Sequence, residues 1–189
     1  MRLVVGLGNP GAQYVRTRHN IGFRIVQALA AAEKVESWRT RFNARTAHVP
    51  SLDALLALPQ TFMNDSGAAV QPLAAFHKLT PAELLVVCDD FNLPFARLRL
   101  RRGGSDGGNN GLKDVTNALG TQDYPRLRFG IGRKGMDAIG FVLGAFTGDE
   151  EKELPEAIER AIAGIRTFCL EGVDAAIALV NSNNGDTVP

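Results

Sequence analysis

The chain has 189 residues, 45% of them hydrophobic, which suits one domain with a sizeable core and argues against a second. Lys and Arg number 21 against 20 acids, so the net charge of +1 neither demands nor excludes a polyanionic partner, and local clustering must decide. No apolar run reaches the roughly 18 residues of a membrane span and no signal-peptide pattern opens the chain, so a cytoplasmic protein without membrane contact is expected.

In chain order, the first element is an apolar strand over residues 3 to 7, inside VVGLGNPG. Gly6, Gly8 and Gly11 match the spacing that cradles a dinucleotide pyrophosphate. That reading requires a helix at the third glycine and an acid ending the next strand. The chain continues instead as AQYVRTRHN, which has no helical stripe, and Glu33 and Glu36 end an Ala-rich helical run. The glycines therefore read as turn residues. A helix is predicted over 20 to 34, with Asn20 as its N-cap and Ile21, Ile25, Val26 and Leu29 as its buried stripe. Then come a strand over 52 to 58, a helical run over 66 to 79 that Pro72 must kink or delay, and a strand over 83 to 88. RLRLRR at 97 to 102 and RLRFGIG at 126 to 132 alternate strictly, which predicts Leu98, Leu100, Leu127, Phe129 and Ile131 facing the core and the arginines facing out. Two amphipathic helices follow, the first from Pro155 and the second from Val173, and residues 182 to 189 read as a disordered tail after one domain over 1 to 181. The alternation of strands and helices predicts an α/β fold with a mixed, mostly parallel central sheet and helices on both faces. Cys88 and Cys169 lie in apolar or helical runs and read as reduced thiols.

In a parallel sheet the carboxyl ends of the strands open on one rim, where ligands bind. The unusual polar residues collect there. Asn9 follows the first strand, Gln60 to Asn64 follow the strand at 52 to 58, Asp89 and Asp90 end the strand at 83 to 88, and His19 precedes the predicted cap. Such a set supports general-base hydrolysis: a neutral imidazole deprotonates water, a carboxylate fixes its tautomer, and amides donate to the developing oxyanion. The helix N-terminus should lower the His19 pKa and Asp89 should raise it. A nucleophile elbow at Gly103 to Gly107 fails on order, because His19, His48 and His77 all precede Ser105. No metal-ligand spacing is present, and His48 and His77 read as structural or solvated. The glycine-rich GGSDGGNNG at 103 to 111 is flanked by Arg97, Arg99, Arg101, Arg102, Arg126, Arg128, Arg133 and Lys134, which points to a phosphate-bearing ligand and favours RNA.

VVGLGNPG, TRHNIGF, TFMNDSG, CDDFNLP, GGSDGGNNGLKD, LRFGIGR and GFVLG resemble, in order, the motifs of bacterial peptidyl-tRNA hydrolases, from residue 1 to about 180. The resemblance implies hydrolysis of the ester between a peptide and the 3′ ribose of tRNA, without cofactor or metal. It implies His19 as base, Asp89 as its orienting partner and Asn9 as reader of the peptide link. It further implies Asn64 and Asn110 as substrate ligands, Phe62 and Met63 as site lining, Tyr14 near the terminal nucleotide, and Arg101 and Arg128 as phosphate clamps. Peptidyl-tRNA is the partner implied; no protein partner is, and a monomer is expected. The chain departs from the family at Asn109, where His is usual; an amide there can still order water or Asn110 without titrating. A non-catalytic RNA-binding protein of the same fold is the alternative, because the fold also resembles that of organellar splicing factors.

Overall fold

The computed structural model describes residues 1–132 and 138–182. Its strands are β1 (Arg2–Gly6), β2 (Arg39–Arg41), β3 (Ala44–Val49), β4 (Ala54–Pro59), β5 (Leu84–Asp90), β6 (Leu98–Arg101) and β7 (Arg126–Gly130), and its helices α1 (Ile21–Ala32), α2 (Gly67–Phe76), α3 (Asn110–Leu119), α4 (Ala138–Leu143), α5 (Gly148–Leu170) and α6 (Val173–Ser182). The strands form one seven-stranded sheet in the order β2-β3-β4-β1-β5-β7-β6. Strands β4, β1, β5 and β7 run parallel, while β2, β3 and β6 add antiparallel pairings towards the two edges. This is the expected α/β architecture with a mixed sheet.

Strand β1 explains why the sheet is covered on both faces. Its successive residues Leu3, Val4 and Val5 are all fully buried, yet alternate side chains must point to opposite sides. Val4 joins a core with Ile21, Ile25 and Leu29 of α1 and Ile162, Ile165 and Phe168 of α5, while Leu3 and Val5 join one with Val70 and Leu73 of α2 and Leu112 and Val115 of α3. Gly6 of the opening motif and Gly22 of α1 set this packing distance. A Cβ on Gly6 would stand 2.4 Å from the Gly22 carbonyl oxygen, and one on Gly22 would stand 2.4 Å from that of Val87. Helix α1 thus lies backbone to backbone on β1 and β5, and Gly6 serves helix–sheet contact.

The structure departs from the sequence reading at several points. Strands β2 and β3 were not legible, because their buried positions include only the small apolar residues Ala44, Ala47 and Val49 among arginines and polar residues. Helix α2 starts at Gly67 and carries Pro72 inside it, which rules out a late start. Helix α5 starts at Gly148, well before Pro155, because Thr147 and Glu150 form a capping box in which each side chain accepts from the other residue's N–H. The arginines of β7 do not face out: Arg126 is 1% and Arg128 8% exposed, since β7 lies between β5 and β6 and is buried along its whole length. On edge strand β6, Arg99 and Arg101 are exposed as expected. Asn181 of α6 partly covers that strand, accepting from Leu100 N at 3.0 Å and donating to Leu100 O at 3.1 Å. Ser182, placed in the expected tail, closes α6. Residues 183–189, Arg133 and Lys134 lie outside the described residues.

Candidate active site

The carboxyl ends of β1, β4 and β5 form one rim, as parallel pairing requires. His19 reaches it from a 3-10 turn, Arg18–Asn20, that leads directly into α1. Its Nδ1 lies 2.9 Å from each carboxylate oxygen of Asp89, the buried penultimate residue of β5. A carboxylate only accepts, so Nδ1 carries the proton and Nε2 keeps its lone pair. Among the described residues Nε2 has no hydrogen-bond partner. Burial pulls the imidazole pKa down, but the charge and hydrogen bond of Asp89 outweigh it, and the result is raised above the ordinary histidine value. Burial is thus the pull that opposes Asp89.

Asn20 does not cap α1. Its side chain instead clamps the backbone of Asn9, accepting from Asn9 N and donating to Asn9 O, both at 2.9 Å. Two buried hydrogen bonds of this kind contribute on the order of 1 kcal/mol each. The side chain of Asn9 is fixed as well: its Oδ1 accepts from Met63 N at 2.7 Å. That bond orients the amide and leaves Nδ2 as a donor without a partner among the described residues. Met63 contributes through this N–H, since its side chain is 4% exposed and sits in the core beneath Gly111.

Around this centre, Asn64 and Asn110 are exposed, each at the first turn of a helical segment. Phe62 is 56% exposed and meets Tyr14 edge-on, with ring centroids 6.3 Å apart. Asn109 is buried and faces away from solvent. Its Nδ2 donates to Asp89 Oδ1 at 2.8 Å, and its Oδ1 accepts from Leu112 N at 3.0 Å as the N-cap of α3. The expected contact with Asn110 is replaced by one to the carboxylate that holds His19.

The glycine-rich loop closes the β7 side. Arg128 donates to Asp90 Oδ2 at 3.1 Å, to Asp106 O at 3.3 Å and to Ser105 O; Arg126 donates to Ser105 O at 3.0 Å, to Gln122 O at 2.8 Å and to Gly104 O. These guanidinium groups thread the loop from below. Gly107 has φ +63°, and a Cβ there would stand 2.7 Å from Arg128 Nη1, so the loop closes over the arginine only as glycine. Arg99 and Arg101, by contrast, take part in no ion pair among the described residues. Together with Arg128 and the loop they line an open hollow of about 190 Å³.

Sequence reasoning missed Arg18. It is 6% exposed, pairs with Glu150 at 2.8 Å and stacks its guanidinium over Phe141 at 4.4 Å. Its N–H donates to Gly144 O at 2.9 Å. The turn bearing His19 is thus anchored to α4 and to the start of α5; the only signal was an arginine beside the histidine. A larger hollow of about 680 Å³, lined by His48 and His77, contains none of the rim residues. Among the described residues there is no cluster of three metal-ligating side chains, and no helix is long and apolar enough to cross a membrane.

The chain is similar to known proteins along nearly its whole length. The sequence model of the family described as Peptidyl-tRNA hydrolase matches residues 3–187. The peptidyl-tRNA hydrolase of Roseiflexus sp. (strain RS-1) is 46% identical over 187 residues, covering 96% of this chain and 86% of its own. That of Desulforamulus reducens is 42% identical over 186 residues, covering 97% and 90%. The crystal structure of peptidyl-tRNA hydrolase from Acinetobacter baumannii superposes with a TM-score of 0.90 at 32% identity, covering 96% of this chain and 95% of that one. With a His–Asp pair on an amide-lined rim and likeness along nearly its whole length, the chain belongs to the peptidyl-tRNA hydrolase family of enzymes.

Proposed function

We propose that this chain hydrolyses the ester joining a peptide to the 3′ ribose of tRNA, with His19 as the general base. The observation that carries the reading is the His19–Asp89 pair: both carboxylate oxygens lie 2.9 Å from Nδ1, which leaves Nε2 basic at the rim. Nε2 takes a proton from water as the oxygen attacks the ester carbonyl carbon. The charge developing on the carbonyl oxygen is met by amide donors, of which Asn9 Nδ2 is the one held in place from within the protein. Collapse of the tetrahedral intermediate breaks the bond to the ribose oxygen, which takes its proton from the imidazolium. Peptide acid and free tRNA result. Asn9, Asn64 and Asn110 contact the peptide link and the ribose end, Tyr14 and Phe62 offer ring surface to the terminal nucleotide, and Arg101 meets phosphate.

The protein works as a cytoplasmic monomer in this reading, with a tRNA as its substrate. A second reading, an RNA-binding protein without catalysis, is disfavoured by the fixed His19–Asp89 geometry, which RNA binding alone does not need. Incubation with an N-acetylated aminoacyl-tRNA and with its unblocked counterpart separates the two. Turnover of the first and sparing of the second is expected; binding of tRNA without release of either acid would overturn the enzymatic reading.

A further inference from the structure

An ionised carboxylate offers two oxygens to hydrogen-bond donors and supplies none itself. Among the described residues the Asp89 carboxylate has two donors: His19 Nδ1, at 2.9 Å from both oxygens, and Asn109 Nδ2, at 2.8 Å from Oδ1. Asn109 Nδ2 also lies 3.3 Å from the Asp89 carbonyl oxygen, and its own Oδ1 accepts from Leu112 N at 3.0 Å. Both ends of one amide are thus engaged, one by α3 and one by the partner of the base. Asn109 is only 6% exposed, so water does not compete freely for either end.

We propose that Asn109 is a positioning residue for His19: its amide fixes the rotation of the Asp89 carboxylate and disperses part of its charge, and so sets how firmly Asp89 holds the imidazole proton. This rests on the reading of His19 as the base. The residue type follows from the double duty. Serine can cap a helix but its hydroxyl is too short to span from α3 to Asp89; aspartate caps but has no donor at neutral pH; alanine does neither. An amide caps with its oxygen and donates with its nitrogen, and it does not titrate.

The other ionisable groups near the pair are already engaged or neutral. Asp90 is paired with Arg128, Arg18 with Glu150, and Arg126 is spent on loop carbonyls. Burial pushes the Cys88 thiol up to about 12, which keeps it neutral. The Asp106 carboxylate accepts from Gly108 N at 2.7 Å and touches neither member of the pair. Asn109 is therefore the group whose removal changes Asp89 with the least change elsewhere.

The test is an NMR titration of the His19 ring protons, run beside kcat–pH profiles and thermal unfolding, in Asn109→Ser, Asn109→Asp and Asn109→Ala. Loss of the donor concentrates charge on Asp89, so the His19 pKa is expected to rise by about half a unit in the Ser and Ala variants and further in the Asp variant, which adds an anion. Thermal midpoints should hold in the Ser variant, which keeps a capping oxygen, and fall in the Ala variant, which loses it, and in the Asp variant, which sets a second carboxylate beside Asp89. An unmoved His19 titration in a folded Asn109→Ser protein would overturn the proposal and leave Asn109 as a helix cap. A titration shift without a matching shift of the kinetic acid limb supports the link from Asn109 to His19 and overturns His19 as the base instead.

Discussion

The two flanks of the rim are built on opposite terms. On the β1–β5 side the side chains proposed for the chemistry are held by the protein: Asn9 by Asn20 and Met63, and His19 by Asp89. On the β7–β6 side the arginines divide. Arg126 and Arg128 are buried and tied to loop carbonyls and to Asp90, while Arg99 and Arg101 stand exposed and unpaired among the described residues. The difference teaches what each side can afford to leave loose. Chemistry needs groups fixed within a fraction of an ångström, whereas phosphate attraction acts through charge and tolerates a mobile side chain. Arginines in nearly the same local sequence thus hold the loop in β7 and stand open to solvent in β6.

The sharpest way to break this division is Arg128→Ala. It would leave Asp90 buried without its cation and release Ser105 and Asp106, so a loss of about 3 kcal/mol or more of stability is expected from chemical unfolding. A fully stable variant with only a raised KM would return Arg128 to the role of phosphate clamp.

His19→Ala tests the opposite flank. Turnover should fall by about 10²-fold or more, the usual scale for losing a general base, with the fold intact by circular dichroism; Asp89→Asn should cost less, since it misorients the ring without removing it. In the parent, activity should fall as pH drops through a His19 pKa raised above the ordinary value, because the imidazolium cannot accept a proton. The sign for stability is the reverse. A group that holds its proton more tightly when folded stabilises the protein most fully below its unfolded pKa, and that contribution is lost as pH rises through the folded pKa. Urea unfolding of the parent and the Ala variant across this window should therefore converge as pH rises, and a kinetic limb that survives in His19→Ala would show that another group is the base.

The smallest effect is expected from Arg101→Ala. Stability should stay within about 0.5 kcal/mol, as for an exposed side chain in no ion pair among the described residues. Binding should weaken, and the slope of log affinity against log salt should flatten by about one unit for the lost phosphate contact, while a minimal ester lacking most of the tRNA is cleaved as before. Equal losses on both substrates would place Arg101 in the chemistry and erase the contrast with β1 and β5.

Much of the fold was legible because burial on both faces of a parallel sheet writes long apolar runs such as those of β1 and β5 into the sequence. Much of the site was legible because polar residues immediately after such runs must emerge on one rim. The β2–β3 hairpin escaped notice, since alanine and a single valine supply its buried positions and no period is visible among the arginines around them.

By itself the sequence determined which residues stand at the strand ends, and with them His19, Asp89, Asn9 and Asn64 as one set. Tertiary structure alone decided their partners. Asn20 looks like a helix cap from its neighbours, yet it spans 11 residues to hold the backbone of Asn9. Asn109 looks like part of a flexible loop, yet it caps α3 and donates across 20 residues to Asp89. Arg128 alternates with apolar residues like Arg99 does, but its strand lies inside the sheet, and whether a strand becomes an edge is fixed by its neighbours rather than its own residues. Local pattern states which way a side chain points; only the assembled sheet determines whether water or another strand waits there.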